Sequence, residues 1–457
     1  MQLRKPKRRI GKAIASTALT LIASTTLALS DSKADETNRA SEKSAETGSA
    51  STDESGGSLF SKWFGGKWNT QLGILYYQEA DDRVQAIEPA IAGSWELSGE
   101  RIWSYKFVYD SLTGASPNGA LISDKKQTFT KPSGQTYDVE KGELPLDSSF
   151  EDTRTAFTLG YAQPLSKDFK FSLGGNYSSE SDYVSLGANT SLSWELNQKN
   201  TVLNLGFSYQ SDSITATGGT PDELAEMSTD RHDQPKEDTT EKKTLTDVLL
   251  GVTQVVNRKW IVQANYSYGQ SNGYHNDPYK LVTLADGTSG STYGDPVGYV
   301  YEKRPSSRVK HAIFLGSKYH LGAGVLDTSY RYYFDDWGIK SHTIDLGWIW
   351  KVAKLWRVEP SFRYYSQSAA DFYTPSIKDS DSLPDNASAD TRLAEFVAYT
   401  PGLKITKIFE NESSFSLRGE YYMQRGNKNP SQAFGSEKDQ DLFPDFDAII
   451  VQSIYEF

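Results

Sequence analysis

Residues 183–210 decide the fold and read YVSLGANTSLSWELNQKNTVLNLGFSYQ. In 183–196 the even-numbered positions are mostly apolar and the odd-numbered positions mostly polar, and in 201–210 the phase reverses. A period of two residues is that of a strand with one apolar and one polar face. The four residues Asn197–Asn200 between the segments are long enough only for a tight turn. The stretch therefore predicts two antiparallel strands joined by a short turn.

The same alternation recurs along the chain from residue 67 onward. It predicts sixteen strands, and the phase is ambiguous in 391–404. The predicted strands are 67–79, 82–97, 100–111, 150–163, 169–180, 182–196, 201–213, 243–256, 259–272, 307–321, 325–337, 339–352, 355–369, 391–404, 413–425 and 446–457.

The links between these strands alternate in length. Every second link, beginning with Ser98-Gly99, is short, and the long links all fall between the short ones. The long links are 112–149, 214–242, 273–306, 370–390 and 426–445. Outer-membrane barrels have short periplasmic turns, longer outer loops and an even number of strands, whereas a sandwich or propeller has no reason to separate loop lengths in this way. We therefore predict an all-β fold, a transmembrane antiparallel β-barrel with both ends on the periplasmic side.

Composition supports this class and excludes several others. The chain has 457 residues, a formal charge of −11 and no cysteine, which excludes a disulfide scaffold, thiol catalysis and cysteine-ligated metals. The acidic balance argues against nucleic-acid binding. The chain is rich in tyrosine, phenylalanine and tryptophan, and strands and membrane interfaces favour these residues.

The N-terminal region predicts export. Residues 1–12 carry six basic residues and no acid, 13–29 are apolar or small, and Ala28 and Ser30 fit a cleavage site. This order is that of a secretory signal peptide, so we expect 1–30 to be removed and the mature chain to start at Asp31 or Asp35. Removal of the six positive charges takes the formal charge from −11 to −17. Residues 31–65 contain a polar stretch that predicts a disordered periplasmic tether, and 66–457 form the barrel.

Alternation also assigns the faces of the barrel and marks its end. Aromatic and aliphatic residues are predicted to face lipid, with interfacial girdles that include Trp260, Tyr332, Phe334, Trp348, Trp350 and Trp356. The last strand ends in an aromatic residue with mostly apolar alternate positions, Ser453 being a mild departure. This resembles the end signature read by the barrel insertion machinery of Gram-negative bacteria, carried here by Ile449, Val451, Tyr455 and Phe457.

Three stretches carry a family resemblance. Residues 110–120 (DSLTGASPNGA), 127–134 (QTFTKPSG) and 76–89 (YYQEADDRVQAIEP) resemble a bacterial family of predicted outer-membrane barrels catalogued as a domain of unknown function. The resemblance implies a barrel and an outer-membrane location, and it carries over no catalytic or ligand residue. The residues singled out in the loop motif are Asp110, Thr113, Gly114, Pro117, Asn118 and Gly119. Three roles are open for the long loop 112–149: a constriction of the barrel mouth, a surface lid, or a docking site for a partner.

Charged residues mark the inner face of strands ten to thirteen. Six bases and four acids are predicted to face the lumen: Lys310, Lys318, Asp327, Arg331, Asp335, Asp345, Lys351, Arg357, Glu359 and Arg363. In a wet pore such residues select solutes by size and charge. The alternative is that they pair with one another and fill the lumen, as in a plugged, receptor-like or scaffold barrel.

Two of the five histidines suggest an enzymatic alternative. The histidines are His232, His275, His311, His320 and His342, and none shows a zinc-protease spacing. His311 and His342, with Ser307 and Asp345 nearby, lie close to the predicted outer rim and suggest a rim hydrolase. No catalytic set, metal or cofactor is predicted, because a set must be shown by mutual geometry.

The leading functional hypothesis is a porin-like channel for small polar solutes. The alternative is a non-conducting scaffold or receptor for another envelope protein, and the rim hydrolase is third. The expected partners are outer-membrane lipid and lipopolysaccharide, the barrel insertion machinery and, for a scaffold, an envelope protein, with no nucleic acid.

Overall fold

The computed structural model describes residues 66–457 apart from 81–82, 132–134, 231–232 and 444. The predicted signal peptide (1–30) and tether (31–65) lie outside the described residues, as does His232, so those predictions stay predictions. Among the described residues no helix is long and apolar enough to span a membrane.

Sixteen strands form one closed antiparallel barrel, which confirms the predicted fold class and strand count. The barrel strands are β1 (Lys67–Glu79), β2 (Gln85–Leu97), β3 (Arg101–Pro117), β6 (Leu146–Pro164), β7 (Phe169–Ser179), β8 (Tyr183–Leu196), β9 (Thr201–Ile214), β12 (Glu241–Asn257), β13 (Trp260–Gly273), β16 (Ser307–Leu321), β17 (Gly324–Asp335), β18 (Lys340–Ala353), β19 (Trp356–Gln367), β21 (Phe396–Ile408), β22 (Ser414–Gly426) and β23 (Phe446–Glu456).

The remaining elements are short. Seven strands lie in the loops: β4 (Gln127–Thr130), β5 (Thr136–Val139), β10 (Thr220–Pro221), β11 (Lys236–Glu237), β14 (Leu281–Ala285), β15 (Pro296–Tyr301) and β20 (Ser376–Lys378). The described residues also form 3-10 helices at Asn197–Lys199, Thr391–Leu393 and Gly435–Asp439.

The first and last strands close the barrel. β1 pairs with β23 from Gln71 opposite Glu456 to Glu79 opposite Ala448. The backbone of Thr70 and Phe457 continues the ladder with two hydrogen bonds of 2.9 Å. Closure leaves no barrel strand with an unpaired edge, which is the condition for a sheet to cross a membrane.

The predicted strand bounds agree with the structure except around a few loops. The ambiguous segment 391–404 is β21 at Phe396–Ile408, because the Asp390 side chain caps a 3-10 turn at Thr391–Leu393 before the strand begins. β3 extends to Pro117, since Pro117 pairs with Leu146 beyond a register shift that follows Gly114. The predicted loop 112–149 is therefore shortened to 118–145.

The two ends of the barrel differ as predicted. The tight turns, such as Asn197–Lys199, lie at one end, here called the short-turn end. The long segments 118–145, 215–240, 274–306, 368–395 and 427–445 lie at the other, the long-loop end, together with three short hairpin turns. Because the strand number is even, both termini of the barrel lie at the short-turn end.

Apolar side chains cover the outside of the barrel. Leu186 and Leu205 are exposed, while Ser185 and Ser208 on the opposite faces of the same strands are buried. Aromatic residues occupy the short-turn rim, where Trp68 stacks on Trp95 with ring centroids 5.0 Å apart. Trp260, Trp350 and Trp356 are exposed on the same rim, and Ile449, Val451, Tyr455 and Phe457 are exposed on the last strand. An apolar band flanked by aromatic girdles is the surface of a membrane-spanning barrel.

The long loops fold together into a cap over the long-loop end. β14 pairs with β15 and β20 in a three-stranded sheet, and β4 pairs with β5 in a hairpin. Buried apolar side chains from separate loops pack between these elements. One cluster comprises Val282, Leu284, Val300, Ile377, Ala387 and Ala389, and another comprises Ala120, Phe129, Val139, Leu281 and Tyr301. The cap is therefore a packed layer with cores of its own.

Candidate functional site

A cavity of about 300 Å³ lies where the cap meets the barrel mouth. Its walls come from the long-loop ends of β1, β3 and β6 and from the loops that carry Lys131, Lys236, Tyr279 and Arg392. This volume is that of a small-molecule site. All three stretches that carry the family resemblance meet here, since Glu79 comes from 76–89, Asn118 from 110–120 and Lys131 from 127–134.

Asn118 fixes the loop motif to the cap sheet. Its carbonyl accepts a hydrogen bond of 2.8 Å from the Leu281 backbone N–H, and its own N–H donates to the Pro145 carbonyl at 3.2 Å. The side-chain Nδ2 donates to the Tyr137 hydroxyl at 3.0 Å, and Oδ1 accepts from the Ala120 N–H at 2.9 Å. Asn118 thus connects the end of β3 to β5 and β14. Both polar atoms of its side chain, Oδ1 and Nδ2, form hydrogen bonds within the cavity wall.

Two glycines of the motif are required by geometry. Gly114 has φ +128°, and a Cβ there would lie 2.3 Å from the Arg83 carbonyl oxygen. Gly119 has φ +93°, and a Cβ there would lie 2.5 Å from the Leu281 carbonyl oxygen. Positive φ strains any other residue, and these contacts leave no room for a side chain. The motif is therefore the means by which the loop approaches the backbone of its neighbours.

Replacement of Gly119 by alanine is expected to lower the free energy of opening the cap by more than about 2 kcal/mol. Left-handed backbone strain contributes about 1 kcal/mol, and the clash of the new Cβ with the Leu281 carbonyl adds to it. Limited proteolysis of the folded barrel measures the opening of loop 118–145. The matched control is Gly142→Ala, which has φ +78° and no atom within 4 Å of the new Cβ, and so carries the strain alone. Equal cleavage rates in the two variants would contradict the steric argument.

The other residues of the loop motif also contact neighbouring strands and loops. Asp110 is buried on the lumen face of β3, and its Oδ2 lies 3.4 Å from Nη2 of Arg154. Glu88 lies 3.6 Å from the same guanidinium. Thr113 pairs with Gln85 of the neighbouring strand, and Lys280 donates a hydrogen bond through Nζ to the Pro117 carbonyl. The motif therefore joins the barrel wall to the cap.

A buried ionic cluster holds two cap loops together, 274–306 and 368–395. Arg304 Nη2 donates to Glu302 Oε2 at 3.1 Å and to Asp390 Oδ2 at 2.8 Å. Arg392 Nη2 donates to Asp277 Oδ2 at 2.9 Å and also binds Asp390. Three of these side chains are almost fully enclosed, with exposures of 5% for Arg304, 1% for Glu302 and 2% for Asp390. The cluster places charge in a region from which water is excluded.

Burial and neighbouring charges set the pKa values in this cluster. Burial raises the pKa of the Glu302 carboxyl above its usual range, and Arg304 offsets only part of the increase. Burial acts in the same direction on Asp390, but Arg392, Lys280 and Arg304 together hold the pKa of Asp390 below its usual range. Asp390 is therefore ionised at neutral pH and depends on its arginine and lysine neighbours.

Three carboxylates at the cavity edge are close enough to share a metal ion. One oxygen each of Asp152, Glu180 and Asp182 lies within 4.8 Å of the others. Hydroxyl groups already donate to two of them, Ser181 Oγ to Asp152 at 3.1 Å and Tyr279 OH to Asp182 at 2.8 Å. No metal is assigned, because acidic groups bonded in this way need no cation.

The predicted lumen residues all lie on the inner face of the barrel. Each occupies a position alternate to exposed apolar residues, as Asp345 does between Ile344 and Leu346. Asp345 accepts from Arg363 Nε at 2.6 Å, and Lys318 Nζ lies 3.0 Å from Asp327 Oδ2. Lys310, Arg331, Asp335, Lys351, Arg357 and Glu359 are the other members of this set. That they line a conduction path stays a prediction.

Ion pairs on the inner face differ in exposure along the barrel. Close to the cap, Lys243 and Asp212 form an ion pair of 3.8 Å, with exposures of 2% and 0%. Near the short-turn end, the side chains of Lys318 and Asp327 are 51% and 36% exposed. Of these two ion pairs, the one near the short-turn end is therefore the more accessible to solvent.

Sequence reasoning missed several lumen charges. Arg308 Nη2 lies 2.6 Å from Asp335, and Lys404 lies 3.6 Å from Glu359. The pairs of Arg154 with Asp110 and of Lys243 with Asp212 are on strands outside the predicted ladder. The signal was present, because the same alternation places these residues opposite the apolar face.

The rim histidines do not meet the other proposed hydrolase residues. His311 and His342 face outward, where Nδ1 of each lies 2.8 Å from a tyrosine hydroxyl, that of Tyr266 and Tyr330 respectively. His311 also stacks on Phe334, with ring centroids 4.6 Å apart. Asp345 lies on the inner face, opposite to His342 on the same strand. His342 and Asp345 therefore lie on opposite faces of β18, since an odd spacing along a strand puts side chains on opposite faces. The rim hydrolase stays a hypothesis.

The family described as "Protein of unknown function (DUF3570)" matches residues 13–457. The chain belongs to this family. The resemblance seen in the loop motif is thereby confirmed, and the match spans all of the described barrel and cap. No curated protein matches this DUF3570 chain.

Several solved barrels have a similar fold. A mutant ferric enterobactin receptor from Pseudomonas aeruginosa has a TM-score of 0.40 and 9% identity, over 82% of this chain and 56% of the receptor. CdiB from Acinetobacter baumannii has a TM-score of 0.42 and 8% identity, over 85% of this chain and 60% of CdiB. Outer-membrane expressed OmpT of Vibrio cholerae has a TM-score of 0.39 and 9% identity, over 86% and 97% of the two chains. The DUF3570 chain spans little more than half of the receptor's length.

Proposed function

We propose that this DUF3570 protein is an outer-membrane channel of a Gram-negative bacterium for small polar solutes. Its short-turn end faces the periplasm and its cap faces the exterior. The closed sheet, the apolar outer surface and the charged inner surface support a membrane location, because a closed barrel satisfies all its backbone groups in lipid.

The exposure of charged side chains on the inner face is the observation that carries the channel proposal. Half-exposed charges such as Lys318 and Asp327 line the lumen at the short-turn end, and a small cavity lies under the cap at the other end. Charged rings in a wet lumen discriminate solutes by charge, and a narrow mouth discriminates them by size. The cap is then the constriction of the pore, formed by several loops together.

Conductance in a planar lipid bilayer tests the channel. Purified barrel is expected to give steady single-channel currents that are small for sixteen strands, because the cap narrows the mouth. The Arg304→Gln variant, which weakens the ionic cluster of the cap, is expected to conduct more or to open more often. The Lys303→Gln variant is the matched control, since Lys303 makes only a partly exposed ion pair of 3.1 Å with Glu223. Absence of single-channel currents in both the wild type and the Arg304→Gln variant would contradict a channel.

A receptor or scaffold barrel is the second candidate, and the packed cap favours it. Apolar clusters and enclosed charges seal loop to loop at the long-loop end. A rigid cap presents a fixed surface to a partner. Absence of conductance, combined with a periplasmic protein that co-purifies in fixed stoichiometry, would favour this candidate.

A further inference from the structure

Two lysines in the cavity wall have no carboxylate partner among the described residues. Lys131 Nζ lies 5.9 Å from the ring centroid of Tyr137, and Lys236 Nζ lies 5.3 Å from that of Tyr301. Both lysines line the cavity. Burial lowers the pKa of the Lys236 amine, and no neighbouring acid offsets this effect. The aromatic rings hold the two side chains in place, but they leave the ammonium hydrogens available for an acceptor.

The Tyr301 hydroxyl is a third donor without an acceptor. Its side chain lines the same cavity and is only 5% exposed, yet within the described part of the chain its hydroxyl makes no hydrogen bond. The neighbouring tyrosines differ, since the Tyr137 hydroxyl accepts from Asn118 and the Tyr279 hydroxyl donates to Asp182. Buried polar groups are nearly always paired, so the Tyr301 hydroxyl lacks the acceptor that a buried donor needs.

The acids of the cavity are mostly engaged with their own partners. Glu79 lies 3.0 Å from Arg83, and Asp390 and Asp277 bind Arg392. Asp152 and Asp182 accept hydroxyl hydrogen bonds on another part of the wall. These acids disfavour a ligand of high negative charge, so the unpaired donors fit a single oxyanion on a small polar solute.

We propose that the cavity binds a small solute bearing one carboxylate or phosphate group, with Lys131, Lys236 and Tyr301 as its donors. The inference rests on the proposed function, because it names the class of solute that the channel admits. Ammonium groups and a hydroxyl form charge-assisted hydrogen bonds to an oxyanion. In a site of low dielectric such bonds are stronger than in water.

Binding to detergent-solubilised full-length barrel tests the site without reference to transport. Titration calorimetry with lactate and with inorganic phosphate is expected to show saturable binding of at least one of them, and none of the neutral probe glycerol. The relative affinities of the two anions separate a carboxylate site from a phosphate site. Substitution of Lys131 and Lys236 together by glutamine is expected to weaken binding by tenfold or more, and Tyr301→Phe by about tenfold.

Lys125→Gln is the matched control for lost charge, because Lys125 is exposed on the same loop and does not line the cavity. It is expected to leave both affinities unchanged. Absence of saturable binding of either anion, or equal affinity in wild type and Tyr301→Phe, would overturn the proposal. The Tyr301→Phe variant can be measured even if the double lysine variant does not fold, because this substitution removes only the hydroxyl group.

The two proposals fail in different ways. Anion binding in a barrel that does not conduct leaves the site intact and overturns the channel. Conductance in a barrel that binds neither anion leaves the channel intact and overturns the site.

Discussion

Replacement of Arg304 by glutamine is expected to lower the free energy of opening the cap by about 3–5 kcal/mol, the usual cost of removing one partner from a buried ion pair. Glu302 and Asp390 would then remain enclosed without the guanidinium that lies between them. Arg392 continues to bind Asp390, whereas Glu302 retains, within the described part of the chain, the Ser388 hydroxyl and the Asp277 N–H as donors. The uncompensated charge falls mainly on Glu302.

Hydrogen exchange measures this loss in the folded barrel. Amides of the cap sheet, Leu281–Ala285, are expected to exchange about a hundredfold faster or more in Arg304→Gln, while amides of barrel strands such as Thr201–Ile214 keep their protection. Lys303→Gln removes a neighbouring positive charge from a partly exposed pair and is expected to change cap exchange by less than about 1 kcal/mol. Equal effects of the two substitutions would show that the enclosed cluster is not what holds the loops.

The decrease in the free energy of opening the cap in Arg304→Gln is also expected to depend on pH. Burial already raises the pKa of Glu302, and removal of Arg304 raises it further. A carboxyl whose pKa is raised in the folded state is destabilising above its unfolded pKa, because folding must then bury the charge or bind a proton. The difference between Arg304→Gln and wild type is therefore expected to be smaller at pH 5 than at pH 8.

The barrel could be predicted from sequence because each strand carries its own evidence. Alternation in segments such as 183–196 fixes which side chains face out, and link length fixes which end each loop occupies. The inner positions of Asp345 and Arg363 follow from the same rule. These features depend on neighbours in sequence or on the adjacent strand, so they are visible without a structure.

The cap could not be predicted, because its contacts join segments that are far apart along the chain. Arg304 and Asp390 are separated by 86 residues, and Asn118 meets Leu281 through backbone atoms that no side-chain pattern records. What each glycine of the motif 110–120 approaches depends on the folded cap, as Gly119 does on Leu281. The cavity lysines had no signal either, since their lack of an acidic partner is a property of the folded loops.

The lumen charges are expected to set ion selectivity. Arg331 lies on the inner face with its guanidinium 6.0 Å from the Phe314 ring centroid, and Arg363 binds Asp345 at 2.6 Å. Substitution of both by glutamate places two negative charges beside Asp345. The barrel is expected to fold, because lumen side chains stay hydrated, whereas a charge on the lipid face costs about 2–4 kcal/mol.

Reversal potential in a salt gradient measures the effect of that double substitution. A strong shift toward cations is expected, because pore charge changes the local counter-ion concentration by about tenfold or more at low salt. The matched control is the double substitution of Lys167 and Lys259 by glutamate, which makes the same change of net charge at exposed turns of the short-turn end. Since the pore potential decays within about 10 Å at 0.1 M salt, the control should shift the reversal potential less.

Equal shifts in both variants would mean that total charge governs selectivity. An unchanged potential in a conducting Arg331 and Arg363 double variant would mean that these arginines lie off the conduction path and serve only to pair within the lumen.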